Sequence, residues 1–83
     1  MEDTAARIRA FFARFFRTDG LKDSDDIFAL GFVNSLFAMQ LVTWIEREFA
    51  FTVTDDDLDI RNFNSIEAIS SFIGRKVTAT VEA

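Results

Sequence analysis

The chain contains no cysteine, no histidine and no proline. Without cysteine it forms no disulfide, offers no thiol nucleophile and binds no metal through thiolate. Without histidine the commonest general base and metal ligand is missing too. The carboxylates fall mostly in exposed-looking runs, so an independent enzyme is not expected. Any chemistry needs a reactive group brought from outside. No apolar run approaches the length of a transmembrane helix, and Arg7, Arg9, Arg14 and Arg17 interrupt the apolar N-terminal residues, unlike a signal peptide. A cytoplasmic location fits these absences.

The 83 residues are enough for one domain, with a thin stability margin. An apolar content of 49%, with eleven Phe, argues for a folded core rather than a disordered segment. The net charge of −5 is unevenly spread. Residues 35–73 carry Arg47 and Arg61 against Glu46, Glu48, Asp55, Asp56, Asp57, Asp59 and Glu67. That half is expected to repel nucleic acid and to attract basic partner surfaces.

The periodicity predicts a first helix over "AARIRAFFARFFR", capped by Asp3 or Thr4. Ala5, Ile8, Phe11, Phe12, Phe15 and Phe16 fall on one arc of roughly 140°, with the arginines outside it as a solvated face. A basic amphipathic helix also suits a membrane surface, but a small domain needs this stripe for its core. "TDGLKDSDD" then breaks the pattern, and Ile27, Phe28, Leu30 and Val33 are expected to pin a long loop. A second helix is predicted over 35–49, with Asn34 as its N-cap. Ala38, Leu41, Val42, Ile45 and Phe49 form its core face. Leu36, Phe37, Gln40, Thr43, Trp44 and Arg47 lie opposite. Leu36, Phe37 and Trp44 are thus apolar on the side expected to face water, consistent with either a docking patch or extra packing. Thr54 caps a short helical turn through "DDDLDI". Asn64 caps a last helix over "SIEAISSFI" that stops near Gly74 and leaves 74–83 as a frayed tail. The expected fold is a small all-α bundle over about 3–73: three main helices, one short helix and a long first loop.

The acidic run at 55–59 invites a calcium reading, but a loop starting at Asp55 puts Ile60 where an EF-hand needs glycine, and one starting at Asp23 puts Phe28 there. Acidic residues at a helix start are more simply explained by the helix dipole. Ser35 opens the second helix, and nothing nearby in sequence activates it as a nucleophile. A serine at a helix N-terminus is, however, a favourable place to carry a phosphate, because free N–H groups and the dipole stabilise the charge. The sequence holds its own control: Asn64-Ser65 repeats Asn34-Ser35 at another predicted helix start. What separates the two is Gly31 and the long loop before Ser35, and the apolar arc after it.

The run "IFALGFVNSLFAMQLVTWIEREFAFTV" resembles the heart of an acyl carrier protein, in which a glycine precedes Asp-Ser-Leu or a close variant at the start of the second helix. "TDDDLDIRNFNSIEAISSFI" is similar to that family's short third and fourth helices. The resemblance implies a single acyl carrier domain over 1–83. It implies that a phosphopantetheinyl transferase moves 4′-phosphopantetheine from coenzyme A onto Ser35, and that the arm's thiol then holds an acyl group as a thioester. Acyl-loading and acyl-modifying enzymes, and an acyltransferase or synthase receiving the group, are the implied partners. Asn34, Leu36, Phe37, Gln40 and Trp44 would form the docking face of a monomer that needs no membrane. Asn34 stands where most carriers have Asp. The Gly-Phe-Val-Asn-Ser spacing is one residue longer than in fatty-acid carriers. That spacing resembles free-standing carriers of D-alanine or of unusual polyketide extender units, and "VNSLFAMQLV" looks closer to the second kind. A helical interaction module without a prosthetic group is the alternative from another class.

Overall fold

The computed structural model describes residues 4–31 and 34–82, so Asp3 and Val33 lie outside the described residues. Four α-helices follow in order: α1 (Thr4–Ala13), α2 (Ser35–Phe49), α3 (Ile60–Phe63) and α4 (Ile66–Glu82). A 3-10 turn over Asp55–Asp57 precedes α3. There is no strand among the described residues, and the all-helical bundle with a long first loop is as expected.

α1 ends earlier than its periodicity predicts. After Ala13 the amides of Arg14 and Phe15 turn back to the Phe11 and Phe12 carbonyls at 3.1 and 2.9 Å, the tightened bonding of a closing helix. Ile8, Phe11 and Phe12 are buried as expected, whereas Phe15 emerges 44% exposed and Phe16 is half-buried. The arginines are not simply a solvated face. Arg9 donates to the Leu21 carbonyl at 2.7 Å and pairs with Asp23 at 2.6 Å. Arg7 pairs with Glu48 and lies 4.5 Å over the Phe49 ring.

The first loop is tied to α4 as well. Ile27 N–H donates to the Asn64 carbonyl, and Glu67 N–H to the Asp23 carbonyl, each at 2.9 Å. Leu21 and Ile27 are its buried anchors. Phe28 and Leu30, expected to be anchors, are instead 36% and 53% exposed. Asp26 Oδ1 accepts from Phe28 and Ala29 N–H, turning this segment outward.

The largest departure is Phe37. It is 4% exposed and sits among four phenylalanines: Phe16 at 4.9 Å between ring centroids, Phe12 at 5.2 Å, Phe15 at 5.4 Å and Phe11 at 5.9 Å. The expectation that Phe37 faces outward is corrected. Phe37, Leu41 and Ile45 recur every four residues and form the buried stripe of α2. Trp44 belongs beside it, half-buried and stacked on Phe11 at 4.6 Å. With α1 lying over this end of α2, the inward direction there is toward Phe37. Ile66, Ile69, Phe72 and Ile73 of α4, with Phe63, complete the core.

The chain after Ala50 also refines the expectation. Thr54 and Asp57 form a reciprocal capping box around the 3-10 turn, and Asp59 then caps α3 separately by accepting from Arg61 N–H. α4 does not stop at Gly74 but runs to Glu82. An interior glycine costs a helix about 1 kcal/mol. That cost is opposed by Lys76 pairing with Asp57 at 2.9 Å, Arg75 donating to Asn62 Oδ1 at 3.0 Å, and Val77 packing on the core. Among the described residues no helix is long and apolar enough to cross a membrane.

The aromatic cluster gives a direct test. Phe37→Ala is expected to cost about 3–5 kcal/mol in urea unfolding. The neighbouring, part-exposed Phe15→Ala is expected to cost about 1 kcal/mol.

Candidate functional site

The loop reaches α2 through Gly31, whose φ of +80° is a conformation that side chains disfavour. Asn34 has extended backbone (φ −125°, ψ 178°), and its Oδ1 accepts from Phe37 N–H at 2.9 Å, as expected of an N-cap. The Ala38 amide bonds the Asn34 carbonyl at 2.8 Å. This leaves the amides of Ser35 and Leu36, the first two of α2, with no acceptor among the described residues. Ser35 is the first residue of the helix and is exposed. Phe37 lies about 200° further round the helix than Ser35. Driving Phe37 into the phenylalanine cluster therefore turns the Ser35 hydroxyl outward.

The second Asn-Ser pair is built differently. α3 ends on Asn64, which serves as its C-cap rather than as the N-cap of α4, correcting the expectation. The cap of α4 is Ser65, whose Oγ accepts from Ala68 N–H at 3.0 Å and which is 8% exposed. One serine is thus enclosed and bonded, and the other is exposed on the first turn with no side-chain hydrogen bond among the described residues.

Two adjoining apolar hollows run along the stripe below Ser35. Ala38, Met39, Val42 and Thr43, three to eight residues after the serine, line one of about 310 Å³ with Leu58. Ala38, Leu41 and Val42 continue into another of about 260 Å³, closed by Phe28, Leu58, Ile60 and Phe63. Asp59 borders it, held at a pKa of about 2 chiefly by the side-chain hydrogen bonds of Arg61. It is ionised at neutral pH. Leu58 and Ile60 are 57% and 60% exposed. Sequence reasoning misses these residues because they sit within an acidic turn. Their signal was apolar side chains alternating with acids in "DDDLDI".

The predicted docking residues separate. Asn34, Leu36 and Gln40 are exposed, Trp44 is half-buried and Phe37 is buried. Leu36, Gln40 and Trp44 line a third hollow, on the other side of α2, joined by Phe15, Met39 and Arg47. Met39 borders hollows on both sides and is 69% exposed. Its position four residues after Ser35 was the signal for it.

A sequence model of the phosphopantetheine attachment site family matches residues 6–73. The chain belongs to that family. It is a carrier protein whose prosthetic group is covalently attached 4′-phosphopantetheine. Carrier domains of this kind are typically non-catalytic and interact with phosphopantetheinyl transferases and acyl-handling enzymes. No curated protein and no solved structure gives a match. The group fits the residues present: an exposed hydroxyl, two helix amides with no acceptor among the described residues for a phosphodiester, and apolar hollows alongside.

The cap is expected to set the stability of this first turn. Asn34→Ala should cost about 1 kcal/mol of unfolding free energy by urea titration. Asn34→Asp should match or exceed the wild type, because Asp keeps the acceptor and adds charge at the positive helix end.

Proposed function

We propose that Ser35 carries the 4′-phosphopantetheine arm and that the protein is a discrete acyl carrier of polyketide or related specialised metabolism. The contrast between the two Asn-Ser pairs carries the site assignment. Ser35 is exposed at the start of α2, whereas Ser65 is buried and committed to capping α4. In the transfer, a P–O bond forms to Ser35 Oγ and the pyrophosphate bond of coenzyme A breaks. The adenosine bisphosphate leaves, and the hydroxyl proton passes to the transferase. The arm supplies the thiol that the chain lacks, and that thiol holds the acyl group as a thioester.

The chain's own part is presentation. Asn34 fixes the first turn, the amides of Ser35 and Leu36 favour the phosphodiester charge, and Phe37 holds the turn against α1. A tethered group meets a docked enzyme at high effective concentration. Exposed Asn34, Leu36 and Gln40, with the accessible part of Trp44, form the contact surface for the transferase and the acyl-handling enzymes. Phe37 acts beneath that surface. Resemblance of "GFVNSLFAMQLV" to free-standing carriers of unusual extender units supports a cargo of that class. The reading places a monomer in the cytoplasm.

Incubation with coenzyme A, Mg²⁺ and a broad-specificity phosphopantetheinyl transferase, followed by intact mass, tests the site. The wild type and Ser65→Ala should each gain one phosphopantetheine, and Ser35→Ala none. A gain that survives in Ser35→Ala, or none in the folded wild type, would overturn the assignment.

A further inference from the structure

The side of α2 turned toward α1 differs in charge from the rest of the chain. Its hollow, about 410 Å³, is lined by Phe15, Leu36, Met39 and Trp44 with the neutral Gln40 and Thr43 and with Arg47, and no carboxylate among the described residues borders it. A smaller hollow of about 200 Å³ brings Arg14 beside the same indole. The acid there, Glu48, is already paired with Arg7. Arg14 and Arg47 are exposed and have no ion-pair partner among the described residues. α2 has no acid in its first turn, and its Glu46 is engaged by Val53 N–H at 2.9 Å. In a chain of net charge −5 this face is apolar and cationic, while acids gather at 55–59.

Three large apolar side chains stand out on it: Phe15, Leu36 and Met39, 44%, 67% and 69% exposed. Leu36 and Arg47 are separated by about 16 Å of helix, or three turns. That is the length over which a partner helix places side chains at i, i+3 or i+4, and i+7 into a groove. We infer that this α1–α2 face docks an acidic amphipathic helix of a partner protein. Its apolar side chains fill the space between Leu36 and Trp44, and its flanking carboxylates meet Arg14 and Arg47. A second copy of the chain fits less well. Its acid cluster at 55–59 lies on a three-residue turn and the cap of a four-residue helix, too short to span the hollow, and Glu46 and Glu48 on its α2 are already engaged. As the docking surface for enzymes acting on the arm, the face rests on the carrier reading. Binding of the helix itself needs no arm.

The probes are three synthetic helical peptides with the same leucine face, flanked by Glu, Gln or Lys. Each is titrated into ¹⁵N-labelled protein, with amide shifts and Trp44 fluorescence read together. The Glu-flanked peptide should bind about tenfold more tightly than the Lys-flanked one and shift residues 36–47 and the end of α1. Arg47→Glu and Arg14→Glu, both at exposed positions, should stay folded by circular dichroism and reverse that order. Equal or tighter binding of the Lys-flanked peptide, or shifts confined to 58–60, would overturn the proposal. So would a dimer in sedimentation that Arg47→Glu dissolves, since the occupant would then be a second copy. Loading of Ser35 in the same proteins separates the two readings. Charge-selective binding without loading leaves the surface standing and removes the carrier assignment. Loading without charge-selective binding removes the surface alone.

Discussion

The burial of Phe37 is the constraint on which the rest of the site depends. One aromatic ring, two residues after Ser35, is enclosed by four phenylalanines from α1 and the turn that follows it. A ring that size contributes several kcal/mol when buried, a large share of the stability of a domain of this length. It also fixes rotation. With Phe37 inward, Ser35 points out, Ala38, Met39 and Val42 line the hollows on one flank, and Leu36 and Gln40 turn to the other.

The long loop delivers the chain to that point in a defined place. Arg9 holds the carbonyl of Leu21 and the carboxylate of Asp23, while the backbone of Asp23 and Ile27 is bonded to the start of α4. The loop is thus fastened at both sides before Gly31 releases it toward Asn34. The same fastening explains why two identical dipeptides differ. Asn64 is drawn into ending α3 and accepting from Ile27, so Ser65 must cap α4. Asn34 caps α2 itself, so Ser35 is not needed as the cap.

Much of this was legible in the sequence. The all-helical class, the bounds of α2 and its Asn34 cap follow from capping chemistry and a 3.6-residue period. Phe37 was not, because the period alone does not say which neighbour lies over each turn. A wheel centred on Ala38 and Ile45 puts Phe37 outside, and only the position of α1 brings it in. Gly74 misled for a related reason: its local cost is outweighed by Lys76, Arg75 and Val77 meeting groups far away in sequence. The hollow-lining Leu58 and Ile60 were hidden in an acidic run whose charges suggested only solvent.

The presentation of Ser35 is a matter of geometry, and the geometry begins with one buried ring. Amide hydrogen exchange in Phe37→Leu and Phe37→Ala, compared with the wild type, tests that most directly. The account predicts that protection of the Phe37 and Ala38 amides falls in Phe37→Ala well beyond any fall at Ile69 and Phe72 of α4, and less so in Phe37→Leu. First-turn protection that changes only in step with α4 would contradict it, and would mean that the Asn34 cap holds Ser35 in place without the ring beneath it.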